Sequence, residues 1–255
     1  MNDHISSHYD HLATTYDAIW NHRPEYVDWM SERMDTLLAL QPGDRIADLG
    51  SGTGLFLRRL LPHVTEQNPV LAVDPSKAML GVLPEDPRIY AVHASAEQFA
   101  SGEVVTPYHF LDVITVKEAI HHFTELDTTL TSLAGRLAEG GRILIVTLPP
   151  RTGYPLFVAA DDRFAAGQPE PGDLVAILRA AGLDAHVSYS EFEVTISRDE
   201  WLALVGNRWM SVLSSFSDAE LDRGLAEIAE LYPEPQLRFT DRFAFVLAEN
   251  KGAVR

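Results

Sequence analysis

The sequence predicts an α/β fold: a doubly wound, mostly parallel seven-stranded sheet with flanking helices and a helical insertion between the last two strands. Three observations carry that prediction. Short apolar runs alternate with helical-period stretches from Arg45 to Leu148, the pattern of a parallel sheet whose strands are joined by crossover helices. The run Arg142 to Leu148 is almost wholly apolar, as a strand buried on both faces must be. A long helical stretch, Asp199 to Tyr232, separates two strand-like segments where a hairpin would otherwise suffice.

Taken in order, apolar residues recur at helical spacing from Tyr9 to Leu40 (Val27, Met30, Met34, Leu37, Leu38), broken at Arg23-Pro24, which predicts two helices ahead of the sheet. Arg45 to Leu49 is a strand ending in a glycine cluster, and Phe56 to Leu61 restarts a helical pattern that stops before Pro62. The unit repeats as Val70 to Val73 with Ser76 to Leu83, and as Ile89 to His93 with a short helix or loop from Ala96. Leu111 to Val116 is the fourth strand, with a helix over Asp127 to Ala138 and a glycine turn, Gly140-Gly141, leading into the fifth. After Pro149-Pro150 comes a loop to Pro171, then a helix from Asp173 to Ala181 ending at Gly182. Val187 to Ile196 alternates as a strand, Ser217-Asp218-Ala219-Glu220 is a capping signature inside the helical insertion, and Arg238 to Ala248 is the last strand.

With 255 residues and 46% hydrophobic content, the chain can bury one large core plus a small accessory element, so residues 1–255 read as a single domain. The net charge of −17, with 20 scattered Lys and Arg, speaks against a nucleic-acid partner. No cysteine is present, which excludes disulfides, thiolate metal sites and a cysteine nucleophile. Met1 to Asp10 lacks the pattern of a signal peptide and no apolar run is long enough to cross a bilayer, so a cytoplasmic protein without membrane association is expected. Asp161-Asp162 is an isolated acidic pair in a loop, and no metal site is expected.

The informative segment is Ile46 to Phe56, with Asp48, Gly50, Gly52 and Gly54. Glycines at a strand-to-helix turn let backbone pass close to a ligand, and the helix start offers unpaired amides, so the loop suits an anionic, nucleoside-like ligand. A dinucleotide fingerprint needs glycine where Leu55 stands, and a P-loop needs Gly-Lys-Ser/Thr, which is missing. Asp48-x-Gly50-x-Gly52-x-Gly54 after an apolar strand resembles the first motif of class I, Rossmann-like S-adenosylmethionine-dependent methyltransferases, in their small-molecule, ubiquinone-biosynthesis-like branch. The resemblance covers Tyr9 to Leu148.

That resemblance implies S-adenosyl-L-methionine as cofactor, with S-adenosyl-L-homocysteine as product. It implies that Asp48, Gly50, Ser51, Gly52, Thr53 and Gly54 form the cofactor loop and that Asp74 holds the ribose hydroxyls. Asp74 to Met79, including Pro75, resembles the stretch flanking the adenine, and Ser95, Ala96 and Glu97 resemble the next element, with Ser95 where the family commonly has Asp. Lys117 to Phe123 resembles the segment beside the methionine part. Tyr9 and Tyr16-Asp17 resemble an aromatic helix that closes over the cofactor, and Arg23 is a candidate for a carboxylate. His121 and His122, an adjacent pair at a strand end with near-neutral reference pKa, are the candidate general bases.

Plainer roles compete for several of these. Asp74 could cap a helix, Glu97 could be a first-turn acid, Tyr16 could be core, Arg23 could be a surface charge, and the histidines could be one packed and one solvated ring. The division implied is 1–40 as cover helices, 45–148 as the cofactor-binding core, 149–237 as the variable acceptor side and 238–248 as the last strand. Arg208, Trp209 and Phe216 of the insertion could reach an acceptor, although two aromatics on one helical face more often mean packing. The expected activity is O-, N- or C-methylation of a small molecule by a monomer or homodimer. A cofactor-binding protein with non-methylating chemistry (a cyclase or a carboxyl transfer) and a non-catalytic or NAD(P)-binding protein are the alternatives.

Overall fold

The computed structural model describes residues 24–252. The first helix expected from Tyr9, and with it Tyr16 and Arg23, lies outside the described residues. The second begins where proline predicts: α1 spans Pro24–Leu38 with Pro24 in its first turn, and Tyr26, Val27, Met30, Met34 and Leu38 form its buried stripe.

The sheet has strands β1 (Ile46–Leu49), β2 (Val70–Asp74), β3 (Ile89–His93), β4 (Leu111–Lys117), β5 (Leu137–Thr147), β6 (Asp184–Ser197) and β7 (Gln236–Glu249). Their spatial order is β3-β2-β1-β4-β5-β7-β6. All neighbours pair in parallel except at β7, which runs antiparallel to both β5 and β6. The order reverses between β1 and β4, so a crevice opens beyond the carboxyl ends of those strands, where open α/β sheets place their ligands.

Both faces of the sheet are covered, which is why its strands read as continuous apolar runs. On one face Ile46, Val70, Ala72, Val113 and Leu144 pack against α1 and the carboxyl-side elements. On the other, Ala47, Leu71, Ile114 and Ile145 meet helices α3 (Ala96–Ser101), α4 (Leu126–Gly135) and α6 (Pro171–Ala180). The short helix α2 (Lys77–Leu80) follows β2 and is capped by Ser76, whose Oγ accepts from Met79 N at 3.2 Å.

The structure differs from the sequence expectation at several places: the helix expected to reach Ala138 ends at Gly135, the one expected over Ser76 to Leu83 is only Lys77–Leu80, and three further segments differ in kind. Phe56 to Leu61 is not an α-helix but two 3-10 turns, Leu57–Arg59 and Leu61–His63, because Pro62 leaves too few residues after Gly54 for i→i+4 bonds to propagate. The expected loop from Pro149 to Pro171 contains a helix, α5 (Val158–Gly167), whose first amide is satisfied from afar: Val158 N donates to Glu227 Oε1 at 2.9 Å. Finally, Gly140-Gly141 lies inside β5 as an irregularity, with the register shifting between Leu111 and Val113 of β4.

Strands β6 and β7 pair along their whole length, and the stretch from Gln236 to Phe243 runs past the end of β5, since Thr147 is opposite Ala244. This overhang carries the insertion, α7 (Arg198–Gly206), a 3-10 turn (Ser211–Ser215) and α8 (Asp218–Leu231). Its aromatics are packing elements. Trp201 is 1% exposed and its Nε1 donates to Pro155 O at 2.7 Å, Trp209 lies against Tyr154, and Phe216 lies edge-on to Phe157. Arg208 donates to the carbonyls of Leu213 and Phe216 and to Asp218, so its guanidinium is engaged within the insertion rather than offered to a ligand. Among the described residues no helix is long and apolar enough to cross a membrane.

Candidate cofactor site

The loop after β1 is held by the end of β2. Gly50 N and Ser51 N both donate to Val73 O, and Gly52 N donates to Asp74 Oδ2 at 2.9 Å, while Ser76 N donates to Asp74 Oδ1 at 2.8 Å. Asp74 is therefore no helix cap, since Ser76 performs that task; it ties the glycine loop to the start of α2.

Two glycines are required for separate reasons. Gly50 has φ +70°, and a Cβ there would stand 2.3 Å from the Cβ of Ala119, so only glycine lets the loop pass under the end of β4. Gly52 has φ +54° with nothing within 4 Å of where its Cβ would be: backbone is laid bare toward open space. That space is a cavity of roughly 380 Å³. It is bounded by the glycine loop, by Asp74 to Met79, by Ser95 to Glu97 at the start of α3, and by the segment from Lys117 to Glu125 after β4.

Asp48, at the tip of β1, is 7% exposed, and Thr115 Oγ1 donates to its Oδ1 at 2.7 Å. Burial pushes its carboxyl up to about 6, with the negative charge of Asp74 adding to the rise and Thr115 and Lys117 opposing it. A site that holds two carboxylates close enough to feel each other favours a cationic, hydroxyl-bearing guest. Ser51 supports the same reading, because its Oγ is buried in the cavity wall without a hydrogen-bond partner among the described residues. An unpartnered hydroxyl, bare Gly52 backbone and two neighbouring acids fit a ribose diol and a cationic chain.

Of the residues singled out in the sequence, Asp48, Gly50, Ser51, Gly52, Thr53, Asp74, Pro75, Met79, Ser95, Ala96, Glu97, Lys117 and His122 line the cavity. Gly54 does not; it backs onto Leu83, whose Cδ2 would lie 2.7 Å from an added Cβ. His121 does not line it either. Its Nδ1 is buried without a partner among the described residues, its ring lies 4.0 Å from that of His122, and burial pushes its pKa down to about 4, so it is neutral at physiological pH. Ser95 caps α3 in a reciprocal box with Gln98, which occupies the hydroxyl at the position where the family commonly has an acid. Glu97 accepts from Thr124 N at 2.8 Å and Thr124 Oγ1 at 3.2 Å, bridging the start of α3 to the segment carrying His122. Desolvation raises its pKa, but these and neighbouring hydrogen bonds outweigh it and leave the carboxyl below its usual range.

Phe56 and Glu118 lie within segments that the sequence analysis marked but are not singled out there, and Thr124 lies beyond them; all three line the cavity. Phe56 places its ring 4.1 Å from Lys117 Nζ, and Glu118 pairs with the same ammonium. Phe56 closes the glycine motif and was within reach of local reasoning; the other two come into the wall only through the turn after β4.

A family profile described as a methyltransferase domain matches residues 19–217. The chain belongs to that family. It is similar to the ubiquinone/menaquinone biosynthesis C-methyltransferase UbiE of Vibrio parahaemolyticus, 32% identical over 143 residues, which are 53% of this chain and 53% of that protein. The chain thus matches about half the length of these curated relatives. Among solved structures, the YcgJ protein from Bacillus subtilis superposes with a TM-score of 0.59 at 17% identity, covering 88% of this chain and 98% of that one. Phosphoethanolamine N-methyltransferase 2 of Haemonchus contortus, solved with phosphomonomethylethanolamine and S-adenosylhomocysteine, gives 0.55 at 17% identity over 86% of this chain and 51% of that one. At such identities the structures show the Rossmann-like fold, and the family match shows a methyltransferase domain.

Proposed function

We propose that this protein transfers a methyl group from S-adenosylmethionine to a small-molecule acceptor. The carrying observation is the cavity over Gly52, with Asp48 and Asp74 both in its wall at the ends of β1 and β2. Bound there, S-adenosylmethionine would supply an electrophilic methyl: the acceptor's electron pair would form the new bond to that carbon in line as the C–S bond breaks and the thioether product leaves. The chain's own residues then have three tasks. Asp74, whose carboxylate already holds Gly52 N and Ser76 N, would accept from the ribose hydroxyls at the end of β2. Met79, Val73, Pro75 and Ala96, which line the same cavity, would offer the adenine an apolar bed. Lys117, Phe56 and the segment to Glu125 enclose the other end and exclude water.

His122 is the better placed of the two candidate bases, because it faces the cavity whereas His121 stays neutral behind it. It would take a proton from an acidic oxygen or carbon acceptor. The quinone-pathway C-methylation named for the UbiE relative is one acceptor chemistry of this type, and it extends here only as far as the half-length likeness supports. A single experiment tests the proposal: incubate the protein with methyl-labelled S-adenosylmethionine and host metabolite extract, and follow products by mass spectrometry. Label appearing in a small molecule, lost in His122→Gln and kept in His121→Gln, is the expected result. Absence of transfer together with tighter binding of NAD than of S-adenosylhomocysteine would overturn it.

A further inference from the structure

The cavity wall is unevenly charged. Among the described residues lining it, Asp48, Asp74, Glu97, Glu118 and Glu125 carry carboxyl groups and Lys117 alone carries an ammonium. That lysine is deeply placed, its side chain 9% exposed and its Nζ 4.1 Å from the centre of the Phe56 ring. An ammonium in such a position draws anions in and repels a second cation. One of its ion-pair partners is the next residue, Glu118.

The backbone at Glu118 has φ +51°, in the left-handed region that favours glycine. The chain needs this turn. Glu118 N donates to Val146 O at 2.8 Å, extending the β4–β5 ladder by one step, and the turn then sets Ala119 beneath Gly50. Glycine would meet both needs without strain. What glutamate adds is a carboxylate in the cavity wall that reaches the Lys117 ammonium. Strain kept at a cavity for the sake of one side chain points to a role for that side chain in binding.

We infer that Glu118 is a charge-selectivity residue: its carboxylate offsets the field of the Lys117 ammonium at this end of the cavity, and so sets the affinity for S-adenosylmethionine, a sulfonium cation, relative to its neutral thioether product. The inference rests on the cofactor reading and sharpens it. Substrate and product share nucleoside and amino-acid parts and differ in the charge on sulfur. A contact between Glu118 and a shared part therefore shifts both affinities alike, whereas its field shifts only their ratio.

Calorimetry with both ligands tests this on Glu118→Gln and on Glu118→Gly, the latter relaxing the left-handed backbone and guarding against a folding failure. Each variant is expected to bind S-adenosylmethionine roughly tenfold more weakly while S-adenosylhomocysteine stays within about twofold. Adding Lys117→Met to Glu118→Gln should bring the ratio back toward the wild-type value. Equal losses for both ligands, or an unchanged ratio, would overturn the inference while leaving the cofactor reading intact. A wild-type protein that binds neither ligand would overturn the cofactor reading, and this inference with it.

Discussion

Asp48 should make the ligand-free protein less stable at neutral pH than its neutral isostere would. Replacing it by asparagine keeps the shape and keeps an oxygen to accept from Thr115 Oγ1, now 2.7 Å from Asp48 Oδ1. The carboxyl is held near 6 in the folded chain against an ordinary 3.8. A folded-state pKa raised above the unfolded one means that the folded protein binds the proton more tightly. The stability from this group is complete below about pH 4 and is lost as pH rises through 6. Two pKa units correspond to about 3 kcal/mol lost at neutral pH. Asp48→Asn does not ionise and does not suffer this loss. Urea unfolding, followed by circular dichroism from pH 4 to pH 8, should show a stability difference in favour of the variant that grows across the window from about 4 to 6 and is flat above 7. The same variant should bind S-adenosylmethionine more weakly, since a negative group facing a cation has gone. A difference independent of pH, or a variant less stable than wild type at pH 7.5 by more than at pH 4, would refute the reasoning.

Three further outcomes follow from the geometry. Gly50→Ala places a Cβ 2.3 Å from Ala119 Cβ at φ +70°, and should cost about 2 kcal/mol or more in chemical denaturation, with Ala119→Gly recovering the steric part but not the backbone part. Asp74→Ala should weaken S-adenosylhomocysteine binding by about 1.5 to 3 kcal/mol in calorimetry, and should also speed hydrogen exchange at Gly52, whose amide it now holds. Glu97→Ala should speed exchange of the Thr124 amide even without ligand, whereas Glu97→Gln, which keeps an acceptor oxygen, should leave it protected; equal exchange in both would show that the bridge does not order the segment.

The local parts of this protein are legible in its sequence. Strands buried on both faces must be apolar along their length, so β1, β2, β4 and the later half of β5 announce themselves, as does the start of α1 at Pro24. Gly50, Gly52 and Asp74 are equally plain, because a ligand loop needs bare backbone and an acid at fixed points on two neighbouring strand ends. The reciprocal cap of Ser217 and Glu220 is set within four residues and is found as expected. What the sequence leaves open is decided by groups far apart along the chain. Helix α5 begins with an amide satisfied from α8, and Glu97 reaches Thr124 across 27 positions. His121 and His122 are indistinguishable as letters. They occupy one 3-10 turn, where successive side chains point about 120° apart, so one faces the cavity and the other is buried neutral behind it. Which one faces inward depends on how the turn after β4 is docked, and that docking is set by the contact of Ala119 with Gly50, a contact between segments that only the folded sheet brings together.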